Sequence, residues 1–273
     1  MASQLLTGKK GIIFGALDER SIAWQVALKA VEQGAEIVLS NAPVALRMGK
    51  INELAKLCKD APVIGADATK PEDLENLFNT AMEHFGGKAD FILHSIGMSP
   101  NVRKGFDYTT TNYDNFLKTL DISALSFHKV MQTAMKLDAI NDWGSVLALS
   151  YIAAQRTFPG YNDMADAKAL LESIARSFGY QYGFKKKVRV NTISQSPTIT
   201  TAGSGVSGFN GFFEFAEKMS PLGNASAEDC ANYCVLMFSD MTRMVTMQNL
   251  FHDGGYSFTG VSEGIMNAMF GEQ

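Results

Sequence analysis

Short apolar runs alternate with amphipathic stretches along the whole chain, and this alternation leaves few folds open. GIIFG (11–15) is followed by SIAWQVALKAVEQG (21–34), whose apolar residues recur at helical spacing and whose Gly34 marks a stop. EIVLS (36–40) reads as a second buried strand, ALRMGKINELAKLCK (45–59) as an amphipathic helix and PVIGAD (62–67) as a third strand. PEDLENLFNTAMEHFG (71–86) opens on proline and acids and closes on glycine, as a helix should. ADFILHSIG (89–97) is a fourth strand, a long helix falls within 112–136, and SVLALS (145–150) is a fifth strand. Tyr161 opens a helix that runs to about Tyr182 and ends at Gly183; VRVNTIS (188–194) and MQNLFHDGG (247–255) add two strands. Strands joined through crossover helices pair in parallel. The expected fold class is therefore α/β, a Rossmann-like doubly wound parallel sheet with helices on both faces. With 273 residues and 46% hydrophobic content, residues 1–273 can form one such domain around a sizeable core.

Composition excludes several function classes. A net charge of −4 and a pI near 5.6 give no electrostatic reason to expect nucleic acid or an anionic membrane as partner. The dense basic run KKKVR (185–189) precedes a strand and reads as a solvated loop. Cys58, Cys230 and Cys234 are too few and too scattered for a disulfide framework, which points to a reducing compartment. Cys230 and Cys234 stand at i, i+4 on a helix, but no histidine lies at ligand spacing, so no metal is expected. MASQLLTGKK does not read as a signal peptide, and no apolar run reaches the ~18 residues of a membrane span. The expected location is the cytoplasm.

In an open α/β sheet, ligands bind beyond the carboxyl ends of the strands. The first such end, GALDERSIAW, lacks the G-x-G-x-x-G pattern and keeps only Gly15, followed by Ser21-Ile22-Ala23. Glycine lets a pyrophosphate approach the backbone, and a helix start offers free N–H groups. Ser21 has the plainer alternative of an N-cap. Strand two ends at Ser40-Asn41, strand three at Asp67-Ala68, and strand four at Ser95-Ile96-Gly97. An acid there can meet an adenine amino group, and small residues let a ribose lie over the sheet. Each alone could be turn chemistry; together, at successive strand ends, they indicate a dinucleotide. No acid follows strand two to take a ribose 2′-hydroxyl, and no cation nearer than Arg47 follows to take a 2′-phosphate, so NADH is expected over NADPH.

The segment PGYNDMADAK (159–168) places Tyr161, Met164, Ala165 and Lys168 on one helical face. A spacing of seven is two turns, so Tyr161 and Lys168 face the same way, about 10 Å apart along the axis. The plainer alternative is a core tyrosine and a lysine snorkelling to the surface. Tyr151, directly after the fifth strand, borders the same cleft and favours a shared site. Tyr182 and Lys186 have the Tyr-x3-Lys spacing but fall at the amino-terminal edge of a strand, away from the ligand side.

Residues 195–225 break the regular pattern, with five glycines, two prolines and four phenylalanines. The first half cannot be regular, while NGFFEFAEKM (210–219) can form a short helix. A long apolar irregular segment suggests a lid over a greasy ligand; a loop packed on a neighbouring subunit is the alternative.

G-x5-SIAW, LHSIG, DISALSF, LSYIAAQRTFPGYNDMADAKALLE, VRVNTIS, SP and the terminal HDGG together resemble the bacterial and plastid enoyl-acyl-carrier-protein reductases. That family is a divergent branch of the short-chain dehydrogenase superfamily, whose common spacing is Tyr-x3-Lys. Tyr-x9-Tyr-x6-Lys is specific to this branch, and the resemblance covers nearly the whole chain. It implies reduction of a trans-2-enoyl thioester on acyl carrier protein by NADH, the last step of each fatty-acid elongation cycle, in a homotetramer. It further implies that Tyr161 hydrogen-bonds the thioester carbonyl and that Lys168 holds the nicotinamide ribose. Tyr151 would line the same pocket, and Ser99 would contact substrate. Cofactor contacts are expected at Gly15, Ser21, Ile22, Asn41, Asp67, Ala68, Ser95, Ile96, Gly97, Lys168 and the run Thr198, Ile199, Thr200, Thr201 and Ala202.

The chain also departs from the pattern. Thr198 stands where many members carry isoleucine, and Asn41-Ala42 where some place a glutamine. The lid offers only Lys218 as a nearby cation for an acidic carrier protein, with Lys185 to Lys187 as another source of positive charge. Two other readings are a ketone or alcohol dehydrogenase, with Ser150 orienting the carbonyl, and a dinucleotide-binding scaffold without chemistry.

Overall fold

In β1 (Lys10–Phe14), Ile12 and Phe14 enter one hydrophobic cluster and Ile13 enters another. Successive strand side chains point to opposite faces, so a strand apolar at every position must be covered on both. The same division recurs in β2 (Glu36–Asn41), with Val38 against Ile37 and Leu39, and in β4 (Ala89–His94), with Ile92 against Phe91 and Leu93. The structure is a computed structural model that describes residues 4–201 and 209–271. Its sheet has seven strands in the order β3-β2-β1-β4-β5-β6-β7, and every neighbouring pair is parallel. The remaining strands are β3 (Val63–Gly65), β5 (Ile140–Ser150), β6 (Arg189–Gln195) and β7 (Asn249–His252). Strand order reverses between β1 and β4, the switch point at which doubly wound sheets open a crevice.

Helices cover both faces, as expected. α1 (Ile22–Glu32) buries Ala23, Trp24, Val26, Ala27, Ala30 and Val31, one continuous stripe at helical spacing. It shares its cluster with residues of α10 (Ala227–Phe238). The opposite face carries α4 (Pro71–Phe85), α7 (Ser126–Lys136) and α8 (Asn162–Lys186). In α4, Pro71 stands at the start, Glu72 and Asp73 fill the first turn, and Gly86 ends the helix in the left-handed conformation.

Three local expectations need correction. The helix expected over 45–59 is two helices, α2 (Pro43–Met48) and α3 (Ile51–Leu57). The Lys50 N–H donates to the Leu17 carbonyl at 2.8 Å, and a Cβ on Gly49 would lie 2.6 Å from that same oxygen. The loop after β1 thus cuts the helical ladder at the one residue that tolerates the approach. Gly183 does not end α8, which continues to Lys186 and exits through Lys187 in the left-handed conformation. Between them, Lys185, Lys186 and the capping Lys187 suit the negative end of the helix. The helix within 112–136 holds one π turn, Asp121–Leu125, between α6 (Tyr113–Leu120) and α7. That turn aims Ser123 at the main chain of Met98, with which its hydroxyl exchanges bonds of 2.9 and 3.1 Å.

The short α5 (Pro100–Lys104) follows β4. The irregular run after β6 leads to α9 (Phe209–Met219), which bears out the helix expected there, and α11 (Glu263–Phe270) closes the described chain.

Candidate active site

The end of β1 meets the end of β4. Gly15 has φ +96°, and a Cβ there would lie 2.0 Å from the Ser95 carbonyl oxygen. Only glycine fits both the backbone conformation and the contact. Ser21 occupies the N-cap position of α1 but does not cap it. Its Oγ accepts from the Leu17 N–H at 3.1 Å and donates to the Asp18 carbonyl at 2.6 Å. The hydroxyl therefore orders the loop and leaves the start of α1 without a side-chain cap, beside Ile22, so positive partial charge faces the crevice. This cradle fits the pyrophosphate of a dinucleotide.

The neighbouring strand ends are equally ordered. Asn41 Nδ2 donates to the Ala16 carbonyl at 2.9 Å and its Oδ1 accepts from the Ala42 N–H at 2.9 Å, which ties the end of β2 to the loop after β1. Asp67 Oδ1 accepts from the N–H and hydroxyl of Thr69 at 3.0 and 2.7 Å, and the Asp67 N–H donates to Asp73 at 2.9 Å. Ala68 is buried beneath this turn. Ile96 packs on the core, and Gly97 faces the Lys168 ammonium, 3.7 Å from where a Cβ would stand.

Lys168 is 9% exposed, and its Nζ donates to the Leu149 carbonyl near the end of β5 at 2.7 Å. Burial pushes its pKa down to about 8, against the opposing pull of Glu172 one turn along α8. Tyr151 leaves the end of β5 and Tyr161 stands at the start of α8; their ring centroids lie 5.2 Å apart. Burial raises the pKa of both phenols, and for Tyr151 the nearby Tyr161, Tyr256 and Asp253 add to the shift. At neutral pH both are proton donors. Tyr151, Tyr161 and Lys168 thus gather at the end of one strand.

Sequence reasoning missed Glu172. Its carboxyl accepts from Ser150 Oγ at 2.7 Å and from Gln155 Nε2 at 3.0 Å. An acid four residues after Lys168 on the same helical face was the available signal. It also missed His94, buried at the end of β4, whose Nε2 meets Ser126 Oγ at 2.9 Å and whose pKa falls to about 3 through burial and the Lys168 charge. Ser99, expected against substrate, is 3% exposed, and its hydroxyl caps α5 through the Val102 N–H and donates to Asp163. Its carbonyl accepts from the Arg103 N–H at 3.2 Å as well.

The segment after β6 folds back over the crevice. Thr198 Oγ1 donates to the Ser196 carbonyl at 3.0 Å, Ile199 is exposed, and Thr201 donates to the Asp18 carboxyl beside Ser21. Thr200 is likewise engaged, and Ala202 lies outside the described residues. A cavity of about 660 Å³ opens between α9 and the 152–160 loop, lined by Ile152, Phe158, Phe212, Phe215, Met219 and Tyr256 among others. Phe158 also contacts Tyr151, ring centroids 5.3 Å apart, so the apolar cavity adjoins the tyrosine pair rather than Lys168. Lys186 bonds Asp138 and the Ile140 carbonyl at the amino edge of the sheet. The Tyr182–Lys186 pair is therefore remote from this site. The 185–187 basic run stands at that edge too, away from the cavity mouth.

Residues 15–257 match the family model described as enoyl-(acyl carrier protein) reductase. A crystal structure of a FabI–NADH complex from Alistipes finegoldii superposes with a TM-score of 0.94 at 68% identity, covering 96% of this chain and 92% of that one. An enoyl-[acyl-carrier-protein] reductase [NADH] of Rhizobium meliloti is 36% identical, covering 95% of this chain and 94% of its own length. A Bacillus cereus enoyl-acyl carrier protein reductase, solved with NADP+ and an indole naphthyridinone, gives a TM-score of 0.88 at 31% identity, covering 94% of this chain and all of that one. The match runs from Gly15, directly after β1, to Ser257 on the cavity wall, and the chain belongs to the enoyl-(acyl carrier protein) reductase family.

Proposed function

We propose that this protein reduces the carbon–carbon double bond of a trans-2-enoyl chain carried on acyl carrier protein, with NADH as reductant. The observation that carries this reading is the protonated Tyr151–Tyr161 pair between the buried Lys168 ammonium and an apolar cavity. The cradle at Gly15, Ser21 and Ile22, the ends Asn41, Asp67, Ala68, Ser95, Ile96 and Gly97, and the run from Thr198 would hold the dinucleotide. Bound NADH supplies a hydride.

Tyr161 donates its hydroxyl to the thioester carbonyl. Hydride arrival at the β-carbon builds negative charge on that oxygen, and a placed donor stabilises it more in the transition state than in the ground state. A proton at the α-carbon completes the saturated chain. Lys168 uses one of its three N–H donors on Leu149, which leaves two for ribose hydroxyls. Tyr151 and Phe158 wall the acyl side.

NADH is favoured over NADPH because Asn41 is engaged with Ala16 and Ala42, and the cation that follows, Arg47, is exposed. The ketone-reductase reading is disfavoured because Ser150 is buried and its hydroxyl donates to Glu172, not toward a substrate. We read residues 1–273 as one functional unit acting in the cytoplasm as a homotetramer. Among the described residues, no helix is long and apolar enough to cross a membrane. The test is NADH oxidation with a crotonyl thioester, run beside NADPH and beside a β-ketoacyl thioester. Faster turnover with the β-ketoacyl substrate would overturn the assignment.

A further inference from the structure

The second residue of α8, Asp163, is fully buried. Three side chains donate to its carboxyl group: Ser99 Oγ at 2.5 Å, Asn101 Nδ2 at 2.7 Å and Thr119 Oγ1 at 2.9 Å. Ser99 and Asn101 belong to the start of α5, and Thr119 to α6. The residue before it, Asn162, has φ +43°. That conformation costs a non-glycine residue about 1–3 kcal/mol unless its surroundings over-determine it. They do: Asn162 Oδ1 accepts from Thr111 Oγ1 at 2.8 Å and from the Asp163 N–H at 2.6 Å, and its Nδ2 donates to the Phe106 carbonyl at 2.8 Å.

An apolar side chain would suffice to start a helix against a core. A buried acid with three directed donors instead fixes the first turn in direction as well as in depth, because each lost partner leaves a polar group unsatisfied. The residue before this pair is Tyr161. The loop bound through Ser99 also carries Ile96 and Gly97, and Gly97 faces Lys168.

We propose that Asp163 is a positioning residue for Tyr161. It ties the tyrosine-bearing turn of α8 to the β4 loop and to α6, so that the phenol stands against Tyr151 at a set distance from the cofactor side of the crevice. This rests on the reading of Tyr161 as the donor to the thioester carbonyl.

The test compares wild type, Asp163→Ala, Asp163→Asn and Thr119→Val, each below its melting transition. The readouts are kcat and KM with NADH and crotonyl thioester, NADH affinity without substrate, and near-ultraviolet circular dichroism of the tyrosine pair. Asp163→Ala is expected to lower kcat about tenfold or more, leave the KM and affinity for NADH within about twofold, and alter the tyrosine dichroism. Thr119→Val removes one donor from another helix and should give a smaller change of the same kind. Asp163→Asn still accepts from Asn101 and Thr119 while the Ser99 hydroxyl turns to accept from the amide, so it should recover most of kcat. A lower melting temperature with unchanged kcat and unchanged dichroism in Asp163→Ala overturns the proposal. If Asp163→Ala does not fold, Thr119→Val takes its place, and unchanged kcat and dichroism in that variant overturn the proposal equally. Failure of wild type itself to turn over would sink the functional reading instead, while the dichroism still tests whether Asp163 places Tyr161.

Discussion

The rings of Tyr151 and Tyr161 lie 5.2 Å apart, one leaving the end of β5 and the other opening α8. Neither phenol has an ion pair to lower its pKa, and burial raises both. They differ in position: Tyr151 also packs against Phe158 at the cavity wall, while Tyr161 shares its helix with Lys168.

That difference sets the expected ranking of two variants. Tyr161→Phe should lower kcat about 10²-fold, the typical loss of one donor to a developing oxyanion. Tyr151→Phe keeps the ring and the wall and should cost less. Steady-state kinetics with crotonyl thioester decides the order, and equal losses would argue that both hydroxyls bind the carbonyl.

Cofactor affinity should depend on pH through Lys168. Its pKa lies at about 8 in the folded protein, below the ordinary lysine value, because burial disfavours the charged form. The ammonium is present below about pH 8 and is lost above it, so NADH should bind tightly at neutral pH and weaken as pH rises through that value. His94, the nearby imidazole, is neutral throughout because its pKa is about 3. Fluorescence titration of NADH from neutral to alkaline pH measures the midpoint. Lys168→Arg stays charged there and should flatten the dependence even as it weakens binding.

Glu172→Gln should move that midpoint down. Glu172 opposes the desolvation of Lys168, and removing its charge leaves burial unopposed. The amide can still bond Ser150 and Gln155, so little thermal destabilisation is expected. An unmoved midpoint would show that Glu172 acts only through its hydrogen bonds.

Gly15→Ala should impair both stability and cofactor binding. The added Cβ meets the Ser95 carbonyl at 2.0 Å in a left-handed backbone conformation. Strain of about 1–3 kcal/mol is expected, read as a lower melting temperature. NADH should protect this variant less than it protects wild type.

How far the sequence was legible depends on the range of the interactions involved. Strands such as GIIFG and the stripe of α1 are written in local periodicity, and the seven strands lie where the apolar runs predict, with shifted ends and with β5 starting five residues early, at Ile140. The Tyr-x9-Tyr-x6-Lys spacing is local as well, and two helical turns do bring Tyr161 and Lys168 to the same strand end. Gly49 and Gly183 were misread because a glycine permits a break without requiring one. At Gly49 the Leu17 carbonyl makes the break, and at Gly183 nothing interrupts the ladder before Lys187.

By itself, then, the sequence determined the alternating α/β layout, the crevice at the strand ends and which side chains are candidates for the chemistry, because hydrophobic period and short spacings act within a turn or a strand. Only the tertiary structure decided how those side chains are held. Ser21 turns from cap to loop tie, Ser99 turns inward to Asp163, Glu172 gathers Ser150 and Gln155, and Thr201 reaches Asp18. The partners of Asp163 stand 44 to 64 residues away and Asp18 stands 183 residues from Thr201. A polar group finds such partners only once the core has excluded water, when leaving a donor or acceptor unpaired becomes costly.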